Sequence, residues 1–254
     1  MRVFITGASS GLGSALARRY LAQGATLGLL GRRRQELETL VSTHRATHAI
    51  YIADVRDGDV VRQAAEDFVS RFGCPDVVIA NAGISAGTAA ELQEDLDTLQ
   101  EVIGINLIGL ANTVQPFVAH MRIAGIGQLI GIASVAGYRG LPGASAYSAS
   151  KAAAIAYLES LRVELHGSGV RVTTICPGYI DTPMTAGNPY PMPFILSADE
   201  AARRILRVIQ ARRSYAVIPW QMAVVVRVLR AMPNPVYDAL FARAPRKPRR
   251  SQGC

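Results

Sequence analysis

A serine, a tyrosine and a lysine with reactive side chains lie close together in the second half of the chain. Ser134 ends an apolar run, and Tyr147 and Lys151 begin a long amphipathic stretch, four residues apart. On a helix this spacing places both side chains on one face. A phenol has a pKa of about 10, too high for efficient proton transfer at neutral pH, and a nearby ammonium lowers it. The trio predicts a proton-transfer site whose serine holds a substrate oxygen, although each residue alone also fits an ordinary turn, core or surface position.

A glycine-rich turn lies between the first predicted strand and the first predicted helix. Residues 6–13 read Thr-Gly-Ala-Ser-Ser-Gly-Leu-Gly. Glycines allow a tight turn and a close backbone approach to a pyrophosphate, and the following helix offers free N–H groups and the positive end of its dipole. Any tight strand-to-helix turn favours glycine, so the turn alone is a weak signal. Its place at the first such junction supports a dinucleotide site.

Three arginines follow the second predicted strand. A carboxylate at this point commonly binds the 2′-hydroxyl of an adenine ribose, but this chain has Arg32, Arg33 and Arg34. A guanidinium binds a 2′-phosphate through paired, charge-assisted hydrogen bonds. The alternative is a solvated helix start, although cations are electrostatically unfavourable at a helix N-terminus. The sequence therefore favours NADP(H) over NAD(H).

Two further predicted strands end in polar residues. Asp54 and Val55 follow the third strand, and Asn81, Ala82 and Gly83 follow the fourth. Ligands bind at the carboxyl ends of strands in open α/β sheets. Asp54 could accept a hydrogen bond from an adenine amino group, or it could equally cap the helix that begins near 57–59.

Short apolar runs alternate with longer amphipathic stretches along the chain. Runs without polar alternation are typical of parallel strands covered on both faces, and their alternation with helices predicts one doubly wound α/β domain. The predicted strands are Val3–Thr6, Thr26–Leu30, His48–Ile52, Val77–Ala80, Gln128–Ala133, Val170–Cys176 and Tyr215–Ile218, and the predicted helices are 11–23, 33–43, 58–72, 91–123, 147–167 and 198–212. Residues 1–218 form the predicted catalytic domain, and 219–254 form a helical appendage with a basic tail.

These motifs together resemble those of the short-chain dehydrogenase/reductase superfamily in its single-domain form. The resemblance covers about residues 2–218, and its motifs keep the family order and spacing: ThrGlyxxxGlyxGly at 6–13, AsnAlaGly at 81–83, Asn106, Ser134, TyrxxxLys at 147–151, and Pro177-Gly178 with Thr182. It implies a Rossmann-type sheet of about seven strands with helices on both faces. It also implies an NAD(P)-dependent enzyme acting on alcohols and carbonyl compounds, assembled as a homodimer or homotetramer through helices 98–123 and 147–167.

The resemblance also assigns roles to single residues. Tyr147 is expected to be the general acid in reduction, and Lys151 is expected to lower its pKa and hold the nicotinamide ribose. Ser134 is expected to orient the carbonyl, and Asn106 to continue a water relay, or else to be a polar residue that bends its helix. The expected cofactor-binding residues are Gly7, Ala8, Ser9, Ser10, Gly11, Leu12, Gly13, Arg32, Arg33, Asp54, Val55, Asn81, Ala82, Gly83, Tyr147, Lys151, Pro177, Gly178, Ile180 and Thr182.

The segment after Thr182 carries no charge. Residues 183–196 contain no acidic or basic side chain, which suggests an uncharged or lipophilic substrate, although lids are often apolar merely to exclude water. The family lines its substrate pocket at positions held here by Tyr138, Arg139, Leu141 and Pro142. A 3-oxoacyl thioester reductase is the nearest enzymatic alternative, and a non-catalytic dinucleotide sensor is an alternative of another class. The long C-terminal extension argues against the first, and the presence of both Tyr147 and Lys151 argues against the second.

Positive charge is concentrated at the C-terminal end. The formal net charge is +8, but residues 1–200 hold 15 Lys/Arg against 18 Asp/Glu, and residues 201–254 hold 12 against one. The basic balance therefore does not indicate nucleic-acid binding, since the tail also lacks interleaved aromatic residues. Two interpretations of the C-terminal residues stay open. One is an interfacial helix with a polybasic anchor on anionic lipid. The other, which we prefer, is a helix that covers the subunit or the substrate cleft and ends in a frayed tail. The predicted apolar face of that helix, within Trp220–Met232, comprises Val224, Val225, Val228, Leu229 and Met232.

Other residue types exclude several classes of protein. The chain has three cysteines, an odd number, and they lie far apart at Cys74, Cys176 and Cys254. This excludes a disulfide framework and a cysteine zinc site. The four histidines lack metal-ligand spacing, so no metal is expected. The first predicted strand begins at Val3, which leaves no room for a signal peptide, and no apolar run appears long enough to span a membrane. We therefore expect a cytoplasmic enzyme, with peripheral contact at the inner face of a membrane as the further option.

Overall fold

Seven parallel strands form the central sheet of the computed structural model, which describes residues 1–44 and 47–249. In chain order the strands are β1 (Arg2–Thr6), β2 (Thr26–Gly31), β3 (His48–Ile52), β4 (Val77–Ala80), β5 (Gly127–Ile132), β6 (Val170–Pro177), β7 (Ile180–Asp181), β8 (Leu196–Ser197) and β9 (Tyr215–Ile218). The sheet order is β3-β2-β1-β4-β5-β6-β9, and β7 pairs separately with β8. The order reverses between β1 and β4, which opens a crevice at the carboxyl ends of these strands.

Helices cover both faces of the sheet. They are α1 (Gly11–Ala22), α2 (Arg34–Val41), α3 (Gly58–Phe72), α4 (Asp95–Ile103), α5 (Gly109–Ala124), α6 (Ser145–Glu164), α7 (Ala198–Gln210), α8 (Trp220–Ala231) and α9 (Asn234–Phe241). All seven predicted strands of the sheet are present with ends within one residue, and the predicted doubly wound fold is confirmed.

Each face of the sheet has its own apolar core, because successive strand residues point to opposite sides. Val3 and Ile5 of β1 belong to the core beneath α1 and α7. Phe4, between them, points to the other core, where its ring lies 5.0 Å from that of Phe117 in α5. Glycine is required at Gly28 of β2, since an added Cβ would lie 2.5 Å from the Phe4 ring. The sheet is thus held rigidly from both sides.

The long helix predicted at 91–123 is a continuous helical segment, Asp95–Ala124, with a π-helical turn at Gly104–Ile108. Within the described residues it is the one helix long and apolar enough to cross a membrane by length and composition, so the expectation that no such segment exists was wrong. It packs as a core helix of the α/β fold: Val114, Phe117 and Met121 of α5 are fully buried.

The apolar face predicted for the C-terminal helix was wrong in part: Val225, Leu229 and Met232 are partly buried, but the rest of the face differs. Met222 and Val226 of α8 are the buried residues, packed near β9, whereas Val224 and Val228 are about half exposed. The face was misassigned because every position from Met222 to Val226 is apolar, so hydropathy alone does not show which side of the helix packs on the sheet.

The residues after α9 return to the body of the molecule, so the predicted frayed tail was also wrong as far as residue 249. The backbone N–H of Gly87 donates to the carbonyl of Pro248 (3.0 Å). The Arg249 guanidinium pairs with Asp95 (2.9 Å) and Glu94 (3.0 Å). Residues 242–249, called the C-terminal segment below, are therefore held by backbone and charge contacts. Arg250 and Cys254, which entered the sequence arguments, lie outside the described residues.

Candidate active site

Two adjoining cavities open at the carboxyl ends of the central strands. The large cavity, of about 400 Å³, lies between the glycine-rich turn and the end of β6. The small cavity, of about 260 Å³, lies between β5, the start of α6 and the C-terminal segment. Both cavities are lined by Ser134, Tyr147, Gly178, Met184 and Thr185. Ser134 and Tyr147, two of the four residues predicted to take part in catalysis, therefore lie where the cavities meet, whereas Lys151 lines only the large cavity and Asn106 lines neither.

The glycine-rich turn forms one wall of the large cavity at close backbone contact. Gly7 has a φ of +67°, and an added Cβ would lie 2.7 Å from the Cα of Ala82. An added Cβ at Gly13 would lie 2.3 Å from the Gly7 carbonyl. The Asn81 amide donates to the carbonyls of Thr6 (3.1 Å) and Gly7 (3.2 Å), which fixes the turn.

The first turn of α1 borders the same cavity. Ser10, its N-cap residue, makes no side-chain capping bond, which leaves the first helical N–H groups for a ligand. Side chains at Gly7 and Gly13 would clash with the backbone of Ala82 and of Gly7, so glycine is needed for the close packing of this turn. The residues present therefore fit a dinucleotide pyrophosphate.

Two of the three arginines after β2 reach the large cavity. Arg33 donates to the hydroxyl of Ser9 (3.1 Å), and an Arg32 nitrogen lies 3.7 Å from a carboxylate oxygen of Asp54. Arg34 instead pairs with Glu38 (3.4 Å) on the surface of α2 and does not line the cavity. Two guanidiniums thus face the end of the cavity where β2 and β3 finish.

Asp54 lines the large cavity and is already held by a neighbour. Arg56 donates to both carboxylate oxygens (2.8 and 3.1 Å), and its guanidinium holds the pKa of Asp54 below its usual range. The helix-cap alternative for Asp54 was wrong, because Asp57 caps α3 by accepting from the N–H of Val60 (3.1 Å). Sequence reasoning missed Arg56, although its place beside Asp54 was visible.

Ser134, Tyr147 and Lys151 come together as predicted. Ser134 lies two residues after the end of β5 and accepts a hydrogen bond from the N–H of Ala136 (3.1 Å). Lys151 is 4% exposed and donates to the carbonyl of Ile132 (2.8 Å), with Nζ 5.9 Å from the centre of the Tyr147 ring. All three side chains line the large cavity, and Ser134 and Tyr147 also line the small one.

The net pKa shift of Tyr147 is opposite to the one expected. Burial raises the pKa of the phenol, and a hydrogen bond with Ser134 opposes that rise only in part. Burial also lowers the pKa of Lys151 to about 8. Desolvation disfavours the charged form of both groups and is the largest cause of both pKa shifts.

Asn106 lies behind the site rather than in its wall. It belongs to the π-helical turn, is 1% exposed, and bonds both backbone groups of Ile84 (2.8 and 3.0 Å) and the hydroxyl of Ser150 (2.9 Å). An added Cβ at Gly83 would lie 3.2 Å from the Asn106 oxygen and 3.5 Å from the Lys151 nitrogen. Asn106 is thus close to Lys151. Its expected part in a water relay stays a prediction.

Most of the expected cofactor residues line the large cavity, and two do not. Ala8 is fully buried, and Gly13 packs against the carbonyl of Gly7, so both support the glycine-rich turn from the side away from the cavity. Sequence reasoning missed Thr185, whose hydroxyl donates to the carbonyl of Ile180 (2.6 Å). The expected residues that do line the cavity are Gly7, Ser9, Ser10, Gly11, Leu12, Arg32, Arg33, Asp54, Val55, Asn81, Ala82, Gly83, Tyr147, Lys151, Pro177, Gly178, Ile180 and Thr182.

The small cavity confirms part of the expected substrate pocket and corrects part. Leu141 and Pro142 line it, but Tyr138 and Arg139 do not. Arg139 turns away because its guanidinium donates to the carbonyls of Leu229 and Met232 at the end of α8. Asn188, Tyr190 and Pro191 line it as well, and they belong to the uncharged segment 183–196 from which the substrate was inferred. Residues that sequence reasoning did not assign to this wall are Ser85, Val135, Ala136, Ala144, Tyr179, Phe241, Ala244, Pro245 and Lys247.

The sequence also matches a family of known proteins. Residues 1–190 match the family model described as short chain dehydrogenase. The chain belongs to the short-chain dehydrogenase/reductase family.

Relatives of this family resemble the chain over most of its length. An uncharacterized oxidoreductase of Myxococcus xanthus is 37% identical over 94% of this chain and 95% of its own. The 2-dehydro-3-deoxy-L-rhamnonate dehydrogenase (NAD(+)) of Sphingomonas sp. is 38% identical over 71% of this chain and 72% of its own. A solved alcohol dehydrogenase of Thermococcus sibiricus, complexed with 5-hydroxy-NADP, superposes with a TM-score of 0.76 at 28% identity, covering 85% of this chain and 95% of that one.

Family membership and geometry together define the chemistry at a coarse level. The chain is an oxidoreductase that acts on alcohol and carbonyl groups of small molecules. Its family uses a nicotinamide dinucleotide, which the cradle of the large cavity fits.

Proposed function

We propose that this protein is an NADPH-dependent reductase that interconverts a ketone or aldehyde and the corresponding alcohol. The observation that carries the proposal is the placement of Ser134 and Tyr147 where the two cavities meet, with Lys151 beside them. Arg32 and Arg33 support NADP(H) over NAD(H), because they line the large cavity where a carboxylate would bind a ribose 2′-hydroxyl. The relatives named above include both an NAD(+) enzyme and an NADP complex, so the preference rests on these arginines.

The reaction needs a hydride and a proton. A bound nicotinamide dinucleotide supplies the hydride that the carbonyl carbon accepts. The Tyr147 hydroxyl donates the proton to the carbonyl oxygen, and the phenolate takes it back in alcohol oxidation. The Ser134 hydroxyl donates a hydrogen bond to the same oxygen and holds it in place.

Lys151 makes the proton transfer by Tyr147 easier. One N–H of its ammonium is used on the Ile132 carbonyl, which leaves two donors for ribose hydroxyls. Its positive charge favours the phenolate, although burial works against this charge and against the phenolate. In this proposal Tyr147 transfers the proton and Ser134 orients the carbonyl oxygen. Lys151 favours the phenolate form of Tyr147 and binds the ribose.

The wall of the small cavity supports an apolar carbonyl-bearing part of the substrate. Val135, Leu141, Pro142 and Phe241 contribute apolar surface there. The C-terminal segment closes one side of this cavity, which disfavours the 3-oxoacyl thioester alternative because a carrier-bound acyl chain needs an open approach. The reactive residues that face the cavity disfavour the non-catalytic sensor.

The test is NADPH consumption over a panel of ketones and aldehydes graded by chain length and charge, with NADH in parallel. We expect turnover of at least part of the panel, faster with NADPH, and none with a Tyr147→Phe variant. Absence of turnover with both cofactors across the panel would contradict the proposed activity. Equal rates with NADPH and NADH would contradict only the cofactor preference.

Assembly and location belong to the same proposal. The outer faces of the helices α4 to α6 keep large apolar side chains exposed, among them Ile108 (49%), Ile123 (87%) and Val163 (60%). A homodimer or homotetramer would cover such side chains, and light scattering on the eluting protein measures the mass directly. The proposed location is cytoplasmic, because Asp95–Ala124, the described helix that could span a membrane by length and composition, packs into the core.

Peripheral contact with an anionic membrane surface is a second candidate. Trp220, Val224 and Val228 form an exposed apolar stripe on α8, with Arg227 beside it. If this stripe binds lipid, the protein should cosediment with anionic vesicles at low salt, and Trp220→Ser should weaken binding more than Arg227→Gln does at high salt. No cosedimentation with anionic vesicles at low salt would leave the stripe as a protein-covered face.

A further inference from the structure

The wall of the small cavity contains one charged side chain. Among the described residues that line it, only Lys247 carries a charge at neutral pH. Lys247 enters from the C-terminal segment, whereas Ser134 and Tyr147 enter from the end of β5 and the start of α6. A small molecule that fills this cavity therefore meets the proton-transfer residues and a cation at the same time.

The backbone around Lys247 is fixed by contacts that do not use its side chain. Gly87 donates its N–H to the carbonyl of Pro248 (3.0 Å), and an added Cβ at Gly87 would lie 2.1 Å from the carbonyl oxygen of Lys247. Two residues further on, Arg249 pairs with Asp95 and Glu94. The segment is held by these groups, so the Lys247 ammonium is not needed to hold it.

The Lys247 ammonium has no carboxylate partner among residues 1–44 and 47–249. Its hydrogen bond to the carbonyl of Met184 is long (3.5 Å), and no ion pair between described residues includes it. The side chain is half-buried, and burial lowers its pKa. An ammonium has three donors and is unfavourable in a partly dry site without an anion. An anionic group of a bound ligand would supply the negatively charged partner that the described residues do not give Lys247.

Neutral hydrogen-bond donors accompany Lys247 in the same wall. The Asn188 amide contacts only a weak acceptor, the sulfur of Met192 (3.5 Å), and Tyr190 adds a phenol. Apolar residues such as Leu141 and Phe241 fill the rest. The cavity thus combines a carbonyl-reducing pair, an apolar wall and a group of donors suited to a carboxylate.

We propose that Lys247 binds the carboxylate of the substrate, so that the enzyme acts on oxo acids, or on the corresponding hydroxy acids, whose acid group is remote from the reacting carbon. This inference rests on the proposed function and specifies its substrate class. The carbonyl-bearing part of such a molecule is still apolar, in keeping with the uncharged segment after Thr182.

The use of lysine rather than arginine supports a dedicated role. The chain has 27 basic residues, of which only Lys151 and Lys247 are lysines, and both line a cavity. A compact ammonium fits a half-buried site beside a carbonyl, whereas the larger planar guanidinium would need more room. Lys247→Arg should therefore restore only part of the recognition that Lys247→Gln removes.

The experiment compares oxo acids of graded length with their own carboxamides in full-length enzyme with NADPH. We expect the acid of at least one pair to be preferred in kcat/KM, chiefly through KM. Lys247→Gln should reduce this acid-to-amide ratio by about 10- to 100-fold, the value of a hydrogen bond to a charged group. Arg246→Gln is the matched control, since it removes a neighbouring cation whose side chain does not line the cavity, and it should keep the ratio.

A binding measurement separates recognition from turnover. Simple alkyl carboxylates should raise the melting temperature of the wild-type protein and of Arg246→Gln, but not that of Lys247→Gln. Preference for the amides, or an unchanged ratio in Lys247→Gln, would overturn the role of Lys247 while ketone turnover upholds the proposed function. Loss of turnover with every carbonyl compound in the wild type would instead reject the proposed function itself.

Discussion

The hydroxyl of Tyr147 is the proton donor on which the proposed chemistry depends. Tyr147→Phe removes that hydroxyl and keeps the ring, so turnover should fall by at least about 10²-fold, the usual contribution of a general acid. The dissociation constant of NADPH, measured by fluorescence titration, should stay nearly unchanged. Tyr157→Phe is the control, because Tyr157 lies on the same helix but packs against the core outside both cavities. Substantial turnover by Tyr147→Phe would reject the assigned mechanism.

Arg32 is expected to read the 2′-phosphate of NADP(H). Arg32→Ala should weaken NADPH binding by about 1.5–3 kcal/mol, the contribution of a charged hydrogen bond, and barely change NADH binding. Arg34→Ala is a matched control, since Arg34 pairs with Glu38 and does not line the cavity. Isothermal titration with both cofactors measures the difference. If both affinities fall in parallel, Arg32 is only part of a solvated surface.

Lys151 should leave a signature in the pH dependence of stability. Its pKa is lowered to about 8, below its ordinary value near 10.5, so the native state binds fewer protons than the unfolded state between these two pH values. Stability therefore rises with pH across this window, and below pH 8 the full burial penalty of the ammonium is present. Wild type should gain stability relative to Lys151→Met from pH 8 to pH 10 in denaturant titrations. Parallel curves for the two proteins would show that the Lys151 pKa is not depressed.

At the scale of elements, the π-helical turn Gly104–Ile108 is a positioning device. It turns Asn106 inward, where the amide bonds Ile84, in the loop after β4, and Ser150, in the first turns of α6. Such turns are often found at functional sites because the extra residue re-aims a side chain. The two interpretations of Asn106, helix distortion and a part in the site, are therefore compatible.

Asn106→Ala should destabilise the protein and impair the site together. It leaves the N–H of Ile84 without its partner, so the free energy of unfolding should fall by about 1–3 kcal/mol. Ser150→Ala removes only one of the three hydrogen bonds of Asn106 and should cost less. Thermal and chemical denaturation measure both variants. An Asn106→Ala protein as stable as Ser150→Ala would show that the Ile84 contacts contribute little.

Local patterns predicted the strands and many of the residues that line the large cavity, because these depend on short-range signals. Apolar runs of the sheet are continuous, and the glycine-rich turn follows β1 directly. The packed face of α8 was not predictable, because Met222–Val226 is apolar on every side. The orientation of Arg139 depended on where α8 ends and α9 begins, which no local pattern shows.

At the scale of the whole molecule, the C-terminal segment lines the small cavity. Its excess of positive charge was evident in the sequence, but the partners of Arg249 lie in α4 and just before it, 154 and 155 residues away. Ion pairs between residues so far apart in the chain lack the three- or four-residue spacing by which pairs within one helix can be predicted. The basic end was therefore interpreted as a solvated tail, whereas in the structure Lys247 and Arg249 have separate positions and partners.

The Arg249 contacts should keep the C-terminal segment closed over the small cavity. Arg249→Gln removes both ion pairs, so the segment should open more often and the KM for carbonyl substrates should rise while the dissociation constant of NADPH stays the same. Trypsin should also cleave after Arg246 sooner, since the peptide bond must leave the surface to be cut. High salt, which screens charges, should bring wild type closer to the variant in both measurements.

Arg243→Gln is the control, because Arg243 is exposed in the same segment and the change removes the same charge and one trypsin site. If Arg249→Gln and Arg243→Gln are cleaved at equal rates and share one KM, the segment is held by its backbone contacts at Gly87 alone.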